Sequence, residues 1–287
     1  MIGKSFKSMA PKKSLGQNFL NDPWWIERIA RALEIQEEDC VLEIGPGKGA
    51  LTRALLPYTR DLLAVEIDQR MVELLQRDLG EHANLRIIHE DFLRFDLGAA
   101  LGGRKVRVVG NLPYHITSSI LMRVLEEIRR GHTDPEAAHI TDFAIMIQKE
   151  VAQRILSGPG SREYGILSVY VGLLCEGRIL LDVPPGAFFP VPKVDSAVIR
   201  LRPLAAPTAD VKDWDFFRRV VRAAFNQRRK MLRRSLINVP GVPNPEGLEN
   251  AGELLSRRPE TLSVQEFAEL AARLDALRER PTGDVTP

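Results

Sequence analysis

Cysteine is scarce in this sequence. Its 287 residues include only Cys40 and Cys175, which lie within apolar runs and have no other metal-binding side chain at the spacing of a metal site. Two such cysteines are expected to be buried thiols in a reducing compartment. The sequence therefore predicts neither a disulfide framework nor a metal site.

Long apolar runs and a large net charge are also missing. No stretch approaches the roughly 18 consecutive apolar residues of a membrane helix, and the N-terminus has no apolar signal core. Residues 1–13 form a basic leader with four lysines. We therefore predict a cytoplasmic protein without a membrane segment. The formal net charge is only +2, so a nucleic-acid partner has to be inferred from the distribution of charge and not from its sum.

Apolar strands alternate with helical patterns over most of the chain. Short apolar runs predict strands at residues 41–44, 62–66, 85–89, 106–110, 143–148, 178–183 and 197–201. Apolar residues at helical spacing predict helices at 23–33, from about 51, and at 69–79, 117–130, 151–156 and 164–174. This alternation predicts an α/β fold. The composition changes at residues 203–209, so we predict a first domain at 1–202 and a second, helical domain at 203–287.

The apolar run at 106–110 ends at Asn111, Leu112, Pro113 and Tyr114. Because proline cannot continue a strand ladder, a buried strand should end here, at the sheet edge where open α/β sheets bind ligands. The amide oxygen of Asn111 and the carbonyl of Leu112 can accept hydrogen bonds from an NH2 group, and Tyr114 offers a flat face. The four residues favour a planar base with an exocyclic amine. A plain proline turn that closes the strand is the alternative.

A glycine-rich turn follows the first of these strands. Gly45 and Gly47 permit a tight turn and close approach of a ligand, and the helix that follows adds free N–H groups. Glu66 ends the next strand, where a carboxylate can accept hydrogen bonds from both hydroxyls of a ribose. Asp91 follows the third strand and could accept an adenine amine. The pattern predicts a nucleotide-type site, and the turn alone also permits NAD. Glu43, inside the strand, would repel a pyrophosphate but could hold a cationic or hydroxyl-bearing ligand.

Two adjacent phenylalanines, Phe188 and Phe189, lie in a proline-stiffened loop at residues 183–196. A turn by itself does not require two large aromatic side chains. We expect one ring to pack inward and the other to be free to stack on a ligand.

A basic helical face is predicted at residues 216–236, where no acidic residue occurs. Solvated faces normally mix charges of both signs, so an unbroken basic face favours binding to a phosphate backbone. A solvated surface helix is the alternative. The candidate RNA contacts are Arg218, Arg222, Arg228, Arg229, Lys230 and Arg233.

Taken in order along the chain, these segments resemble the rRNA adenine dimethyltransferases, and among them the bacterial enzymes of the small ribosomal subunit. The likeness runs from about residue 12 to residue 236. It rests on residues 17–20, 43–52, 65–68, 90–92, 111–114, 188–196 and 224–230.

The resemblance implies a Rossmann-like class I S-adenosylmethionine methyltransferase sheet with a small all-helical C-terminal domain. It implies N6,N6-dimethylation of two adjacent adenosines in a hairpin near the 3′ end of 16S rRNA, with the immature small subunit as partner and S-adenosylmethionine as cofactor. The implied cofactor contacts are Asn18, Leu20, Gly45, Gly47, Glu66, Asp91 and Asn111. The implied catalytic or base-holding residues are Asn111, Leu112, Pro113, Tyr114 and Phe188. No exposed apolar stripe calls for a dimer, so a monomer is expected.

Three other functions stay open at this stage. The 23S rRNA resistance methyltransferases share the sheet motifs, although the basic segment and the long loop favour the small-subunit enzyme. An NAD-dependent dehydrogenase is permitted by Gly45, Gly47 and Ala50, but it leaves residues 111–114 without a role. The third is a non-catalytic assembly factor of the small subunit. The intact motif residues argue against a loss of catalysis.

Overall fold

A computed structural model describes residues 17–237 and 249–277, which form two compact units. The first unit extends to Ala152 and resumes at Glu176–Pro203, and the second contains Gln153–Cys175 and the chain from Leu204. The chain passes from the first unit to the second after Pro203, next to the boundary that the sequence predicts after residue 202. The segment Gln153–Cys175, which the sequence analysis places in the first domain, belongs to the second unit. The predicted basic leader at 1–13 lies outside the described residues.

The first unit is built on a mixed sheet. The strands among the described residues are β1 (Phe19–Leu20), β2 (Cys40–Ile44), β3 (Asp61–Glu66), β4 (Leu85–His89), β5 (Lys105–Asn111), β6 (His139–Gln148), β7 (Cys175–Val183), β8 (Phe188–Phe189) and β9 (Ser196–Pro203). The order in the main sheet is β4-β3-β2-β5-β6-β9-β7, and β1 pairs separately with β8. Strands β2 to β6 pair in parallel, whereas β9 runs antiparallel to β6.

The parallel strands bring the predicted motifs to one edge of the sheet. Ile44 pairs with Val65 on one side and with Gly110 on the other, so β2, β3 and β5 end at the same level. Their interior residues are almost fully buried, as expected for parallel strands covered on both faces. The residues that follow each strand therefore meet around one site.

The helices are α1 (Pro23–Ala32), α2 (Ala50–Leu55), α3 (Gln69–Leu79), α4 (Leu97–Leu101), α5 (Thr117–Gly131), α6 (Lys149–Ile155), α7 (Ile166–Leu174), α8 (Trp214–Asn226), α9 (Leu232–Ser235) and α10 (Val264–Ala276). Helix α1 begins as the sequence predicts, because the Asp22 carboxylate accepts hydrogen bonds from the N–H groups of Trp24 and Trp25, and Pro23 occupies the first turn. None of the described helices is long and apolar enough to cross a membrane.

A buried ionic cluster fixes the end of α1 on the sheet. Arg200 is 1% exposed, and it donates hydrogen bonds to the Leu33 carbonyl and to Glu34, whose φ of 52° turns the chain sharply. Arg107 reaches the same Leu33 carbonyl and the carboxylate of Asp142. These charges are tolerated inside because they pair with each other and with backbone carbonyls. The cluster thereby holds the helix that follows β1.

The second unit packs helices around aromatic rings. Trp214 lies 5.6 Å from Tyr170 and 5.7 Å from Phe217, and Phe225 lies 5.7 Å from Phe267, measured between ring centroids. The sequence predicts one continuous helix at 216–236, and this prediction is wrong. Helix α8 ends at Asn226, and within the rest of that range only Leu232–Ser235 is helical. The basic residues between the two helices therefore lie on a turn.

Candidate active site

A cavity of about 230 Å3 lies at the carboxyl edge of the sheet. The predicted residues that line it are Asn18, Leu20, Gly45, Gly47, Glu66, Asp91, Asn111, Leu112, Pro113 and Tyr114. The fold thus brings together every predicted cofactor-binding and catalytic residue except Phe188. They come from the ends of four parallel strands and from β1.

Glu66 holds the glycine turn in place. Its carboxylate accepts hydrogen bonds from the N–H of Gly47 at 2.9 Å and from the N–H of Asp68 at 2.8 Å. Gly47 has a φ of 57°, in the left-handed region, and a side chain there would meet the ring of Phe19 at 3.0 Å. Burial raises the pKa of Glu66, and the hydrogen bonds oppose that rise. The second lone pairs of this carboxylate can accept the hydroxyls of a ribose.

Glu43 is a second buried carboxylate in the cavity wall. It is 2% exposed, and its Oε2 accepts a hydrogen bond from the hydroxyl of Thr52 at 2.7 Å. Burial raises its pKa to about 7, the Thr52 hydrogen bond lowers it, and the negative Glu66 adds to the rise. A cation bound in this cavity would favour the ionised form of Glu43, whereas a pyrophosphate would be repelled. The carboxylate therefore argues against a dinucleotide.

The orientation of Asn111 is fixed from outside the main sheet. Its Nδ2 donates a hydrogen bond of 3.0 Å to the backbone carbonyl of Asn18. Because a carbonyl can only accept a hydrogen bond, the amide nitrogen of Asn111 has to face Asn18, which precedes β1. The amide oxygen Oδ1 accepts no hydrogen bond from the described residues and remains an acceptor at the cavity wall.

The residues after Asn111 form a tight, well-anchored turn. The Leu112 N–H donates to the Met146 carbonyl at 3.1 Å, and the Pro113 carbonyl accepts from the Thr117 hydroxyl at 3.1 Å. The Leu112 carbonyl accepts nothing from the part of the chain that the structure describes. It is therefore a second acceptor next to Asn111.

Tyr114 is half-buried, and its hydroxyl lies 2.9 Å from the Oγ of Ser196. Burial raises the pKa of its phenol, so the group stays neutral at physiological pH. The hydrogen bond holds the ring beside the two acceptors, where one face could meet a base.

Asp91 lies on the other side of the cavity, after β4. Its Oδ1 accepts a hydrogen bond of 3.0 Å from the N–H of Leu93, which fixes the carboxylate. Oδ2 has no partner among the described residues and can accept an amine.

Phe188 does not occupy the predicted position. The structure shows it 3% exposed within the hydrophobic core, and it does not line the cavity. A ring has to offer a free face to stack on a base, so the prediction that Phe188 holds the target base is not supported by this geometry. The neighbouring Phe189 is the exposed ring, at 57%.

The predicted RNA-contacting cations lie in the second unit. Arg222, Arg229, Lys230 and Arg233 are exposed. Arg218 and Arg228 are half-buried, the first near Asp215 at 3.6 Å and the second donating to the Ser161 carbonyl at 3.2 Å. The four exposed cations are the better candidates for phosphate contacts.

Phe19 and Ile67 are among the cavity residues that the sequence analysis did not single out. Phe19 lines the wall, and the ammonium of Lys48 lies 4.8 Å from the centre of its ring. Ile67 lines the cavity directly after Glu66 and is 51% exposed. An exposed apolar residue next to a strand-end acid was the available signal for Ile67. Phe19 gave no local signal, because its place depends on pairing with a distant strand.

Comparison with known proteins identifies the family. The model of the family described as "Ribosomal RNA adenine dimethylase" matches residues 9–272. The chain belongs to the ribosomal RNA adenine dimethylase family. This membership confirms the resemblance noted in the sequence, with ribosomal RNA adenine as the target and S-adenosylmethionine as the methyl donor.

Named relatives within the dimethylase family include two proteins called ribosomal RNA small subunit methyltransferase A. That of Xanthomonas campestris pv. campestris is 43% identical, covering 94% of this chain and 98% of the relative. That of Lachnoclostridium phytofermentans is 41% identical, covering 92% and 91%.

Solved structures confirm the methyltransferase fold. A dimethyladenosine transferase from Plasmodium falciparum has a TM-score of 0.70 at 24% identity, over 88% of this chain and 95% of that one. The 23S rRNA methyltransferase ErmE has a TM-score of 0.63 at 30% identity, over 90% of this chain and all of that one.

The cavity fits the family's methyl donor. Glu66 can accept the ribose hydroxyls, and Asp91 can accept an adenine amine. The left-handed glycine turn leaves room for close backbone approach. Glu43 in the cavity wall would supply negative charge that favours a donor carrying a sulfonium and an ammonium group.

Proposed function

We propose that this protein transfers methyl groups from S-adenosylmethionine to the N6 amines of two adjacent adenosines near the 3′ end of 16S rRNA, within the immature small ribosomal subunit. The proposal draws its target from the relatives named as small-subunit methyltransferases, which are 41–43% identical to this chain. The 23S rRNA enzyme is 30% identical, which favours the small subunit over the large one. We place the reaction in the cytoplasm and expect the enzyme to work as a monomer.

The observation that supports this proposal most directly is the fixed amide of Asn111. With Nδ2 held by the Asn18 carbonyl, Oδ1 and the Leu112 carbonyl are two neighbouring acceptors. An adenine N6 carries two hydrogens, so the two acceptors match it. Since Pro113 has no N–H, the turn offers no competing donor there.

The chemistry that these residues have to supply is positioning and electrostatic stabilisation. The bound donor supplies an electrophilic methyl group on a sulfonium. The lone pair of N6 is delocalised into the purine ring, so the amine is a poor nucleophile. Acceptors at Asn111 and Leu112 stabilise the partial positive charge that develops on N6 and favour a more pyramidal nitrogen. The two transfers replace both hydrogens, and one proton leaves N6 with each.

The target base has to leave its RNA stack to reach these acceptors. Unstacking costs a few kcal/mol, which stacking on the half-buried ring of Tyr114 partly offsets. The exposed cations of the second unit, Arg222, Arg229, Lys230 and Arg233, would hold the phosphate backbone of the particle.

Exchange of Asn111 for Ala tests the proposal. Loss of one oriented acceptor should lower kcat by about 10²- to 10³-fold. Calorimetry should show only a partial loss of S-adenosylmethionine affinity, because Glu66 and Asp91 remain. Asn21→Ala is the matched control, since Asn21 is exposed and lies next to β1. Near-normal methylation of small subunits by the Asn111→Ala protein would contradict the role given to this amide.

A further inference from the structure

The two-stranded ribbon of β1 and β8 has one buried face and one open face. The strands are antiparallel, with Phe19 opposite Phe189 and Leu20 opposite Phe188. Side chains directly opposite each other share a face of the ribbon, and successive residues alternate between faces. Leu20 and Phe188 are 6% and 3% exposed, so theirs is the core face. Phe19 and Phe189 share the other face.

Both residues of β1 line the active-site cavity, Leu20 from the core face and Phe19 from the other face, and only the face of Phe19 continues to an exposed side chain. Phe19 lines the cavity, packs over Gly47 and lies under the ammonium of Lys48. Phe189 lies directly across the ribbon from Phe19 and is 57% exposed. A large aromatic side chain is thus open to solvent beside the rim of the site.

The ribbon is also connected to the reacting group. The Asn18 carbonyl accepts the hydrogen bond that orients Asn111, and Asn18 precedes Phe19 in the chain. Phe189 lies one strand away from Phe19, which lines the cavity, and does not line the cavity itself. A nucleotide next to the target adenosine would lie outside the cavity, where such an exposed ring is available to it.

The surroundings of Phe189 are suited to RNA. Val191 and Val194 in the same loop are 64% and 43% exposed, and the exposed Lys193 lies between them. An exposed flat ring in a loop that also carries a lysine matches a base and its phosphate, because proteins bind single-stranded nucleic acids with aromatic side chains together with basic ones.

We propose that Phe189 is the stacking platform for the adenosine adjacent to the one being methylated. This inference rests on the proposed function. It makes Phe189 a positioning residue: while one adenosine is held at Asn111, its neighbour stacks on Phe189 and stays outside the cavity.

The test compares methylation of reconstituted small subunits whose neighbouring nucleotide carries adenine or lacks a base. With the intact RNA, Phe189→Ala should raise KM for the particle about 5- to 150-fold, the range expected for one base–aromatic stack, and should change kcat little. With the abasic RNA, wild type and variant should have the same KM. Phe189→Trp should restore binding, whereas Phe189→Leu, which is apolar but not planar, should not.

Ile179→Ala is the control, because this apolar side chain is exposed on β7 of the same unit, outside the loop, and has no ring. A full effect of Phe189→Ala on abasic particles, or rescue by Leu, would overturn the stacking role. A fall in kcat without a change in KM would also overturn it and would assign the ring to the target base. Failure of the wild-type protein to methylate any small subunit would refute the proposed function itself, which is a different outcome.

Discussion

Neutralising Glu43 should shift the balance of stability toward the variant as the pH rises from 5 to 8. The carboxylate is 2% exposed, and its pKa is raised from 4.5 to about 7, chiefly by burial. The folded state therefore binds a proton more tightly than the unfolded chain does. Stability from this group is full below about pH 4.5 and is lost as the pH rises toward 7, where the folded protein has to ionise a buried acid.

The size of the effect follows from the shift. A rise of the pKa from 4.5 to about 7 corresponds to about 3 kcal/mol of unfolding free energy. Most of this, about 2–3 kcal/mol, separates pH 5 from pH 8, because the unfolded carboxyl is already partly ionised at pH 5. At roughly 2–4 °C per kcal/mol, the Tm difference between Glu43→Gln and wild type should grow by about 5–10 °C over that interval.

Calorimetric unfolding of both proteins at pH 5 and pH 8 measures this difference. The comparison across pH is needed because the new amide can leave a buried N–H group without an acceptor, at a cost of about 1–3 kcal/mol at either pH. Glu38→Gln is the control, since it makes the same exchange of a carboxyl for an amide at an exposed position. An equal Tm difference for Glu43→Gln at the two pH values would refute the argument.

Two further predictions concern packing and RNA binding. Gly110→Ala should lower the unfolding free energy, measured in urea, by about 1–3 kcal/mol, because the new Cβ would meet the Ile44 carbonyl oxygen at 2.8 Å. Gly158→Ala is the control and should unfold like wild type, because Gly158 has open space around it. Arg229 and Arg233 are exposed, and exchange of both for Gln should weaken the salt dependence of binding to small subunits. In filter-binding assays, the slope of log binding constant against log salt concentration should fall by about one for each cation removed. An unchanged slope would show that these two residues do not contact the RNA.

Local signals predicted most of the first unit. The acid and proline at residues 22 and 23 mark the start of α1, and α3 and β4 have the predicted bounds. Asn111 and Glu66 could be placed at one sheet edge because parallel strands end together. These features depend on neighbours in sequence or on a regular topology.

The remaining features depend on distant contacts. The β1–β8 ribbon has two residues in each strand, too few for a periodic pattern, so which of Phe188 and Phe189 is exposed could not be known. Strand β6 begins at His139, earlier than predicted. The polar Asp142 interrupts the apolar pattern, but it is buried in the strand because it pairs with Arg107 and Arg200. The segment Gln153–Cys175 joins the second unit through packing of α7, which its apolar pattern does not reveal.

Transfer of labelled methyl groups from S-adenosylmethionine tests the central claim most directly. The substrates are small subunits that lack the modification, with large subunits and protein-free rRNA in parallel. We predict dimethyladenosine at two adjacent positions near the 3′ end of 16S rRNA in the small subunits, formed about 10²- to 10³-fold more slowly after Asn111→Ala exchange. Labelling of 23S rRNA in large subunits, or no transfer despite tight binding to small subunits, would contradict the assignment.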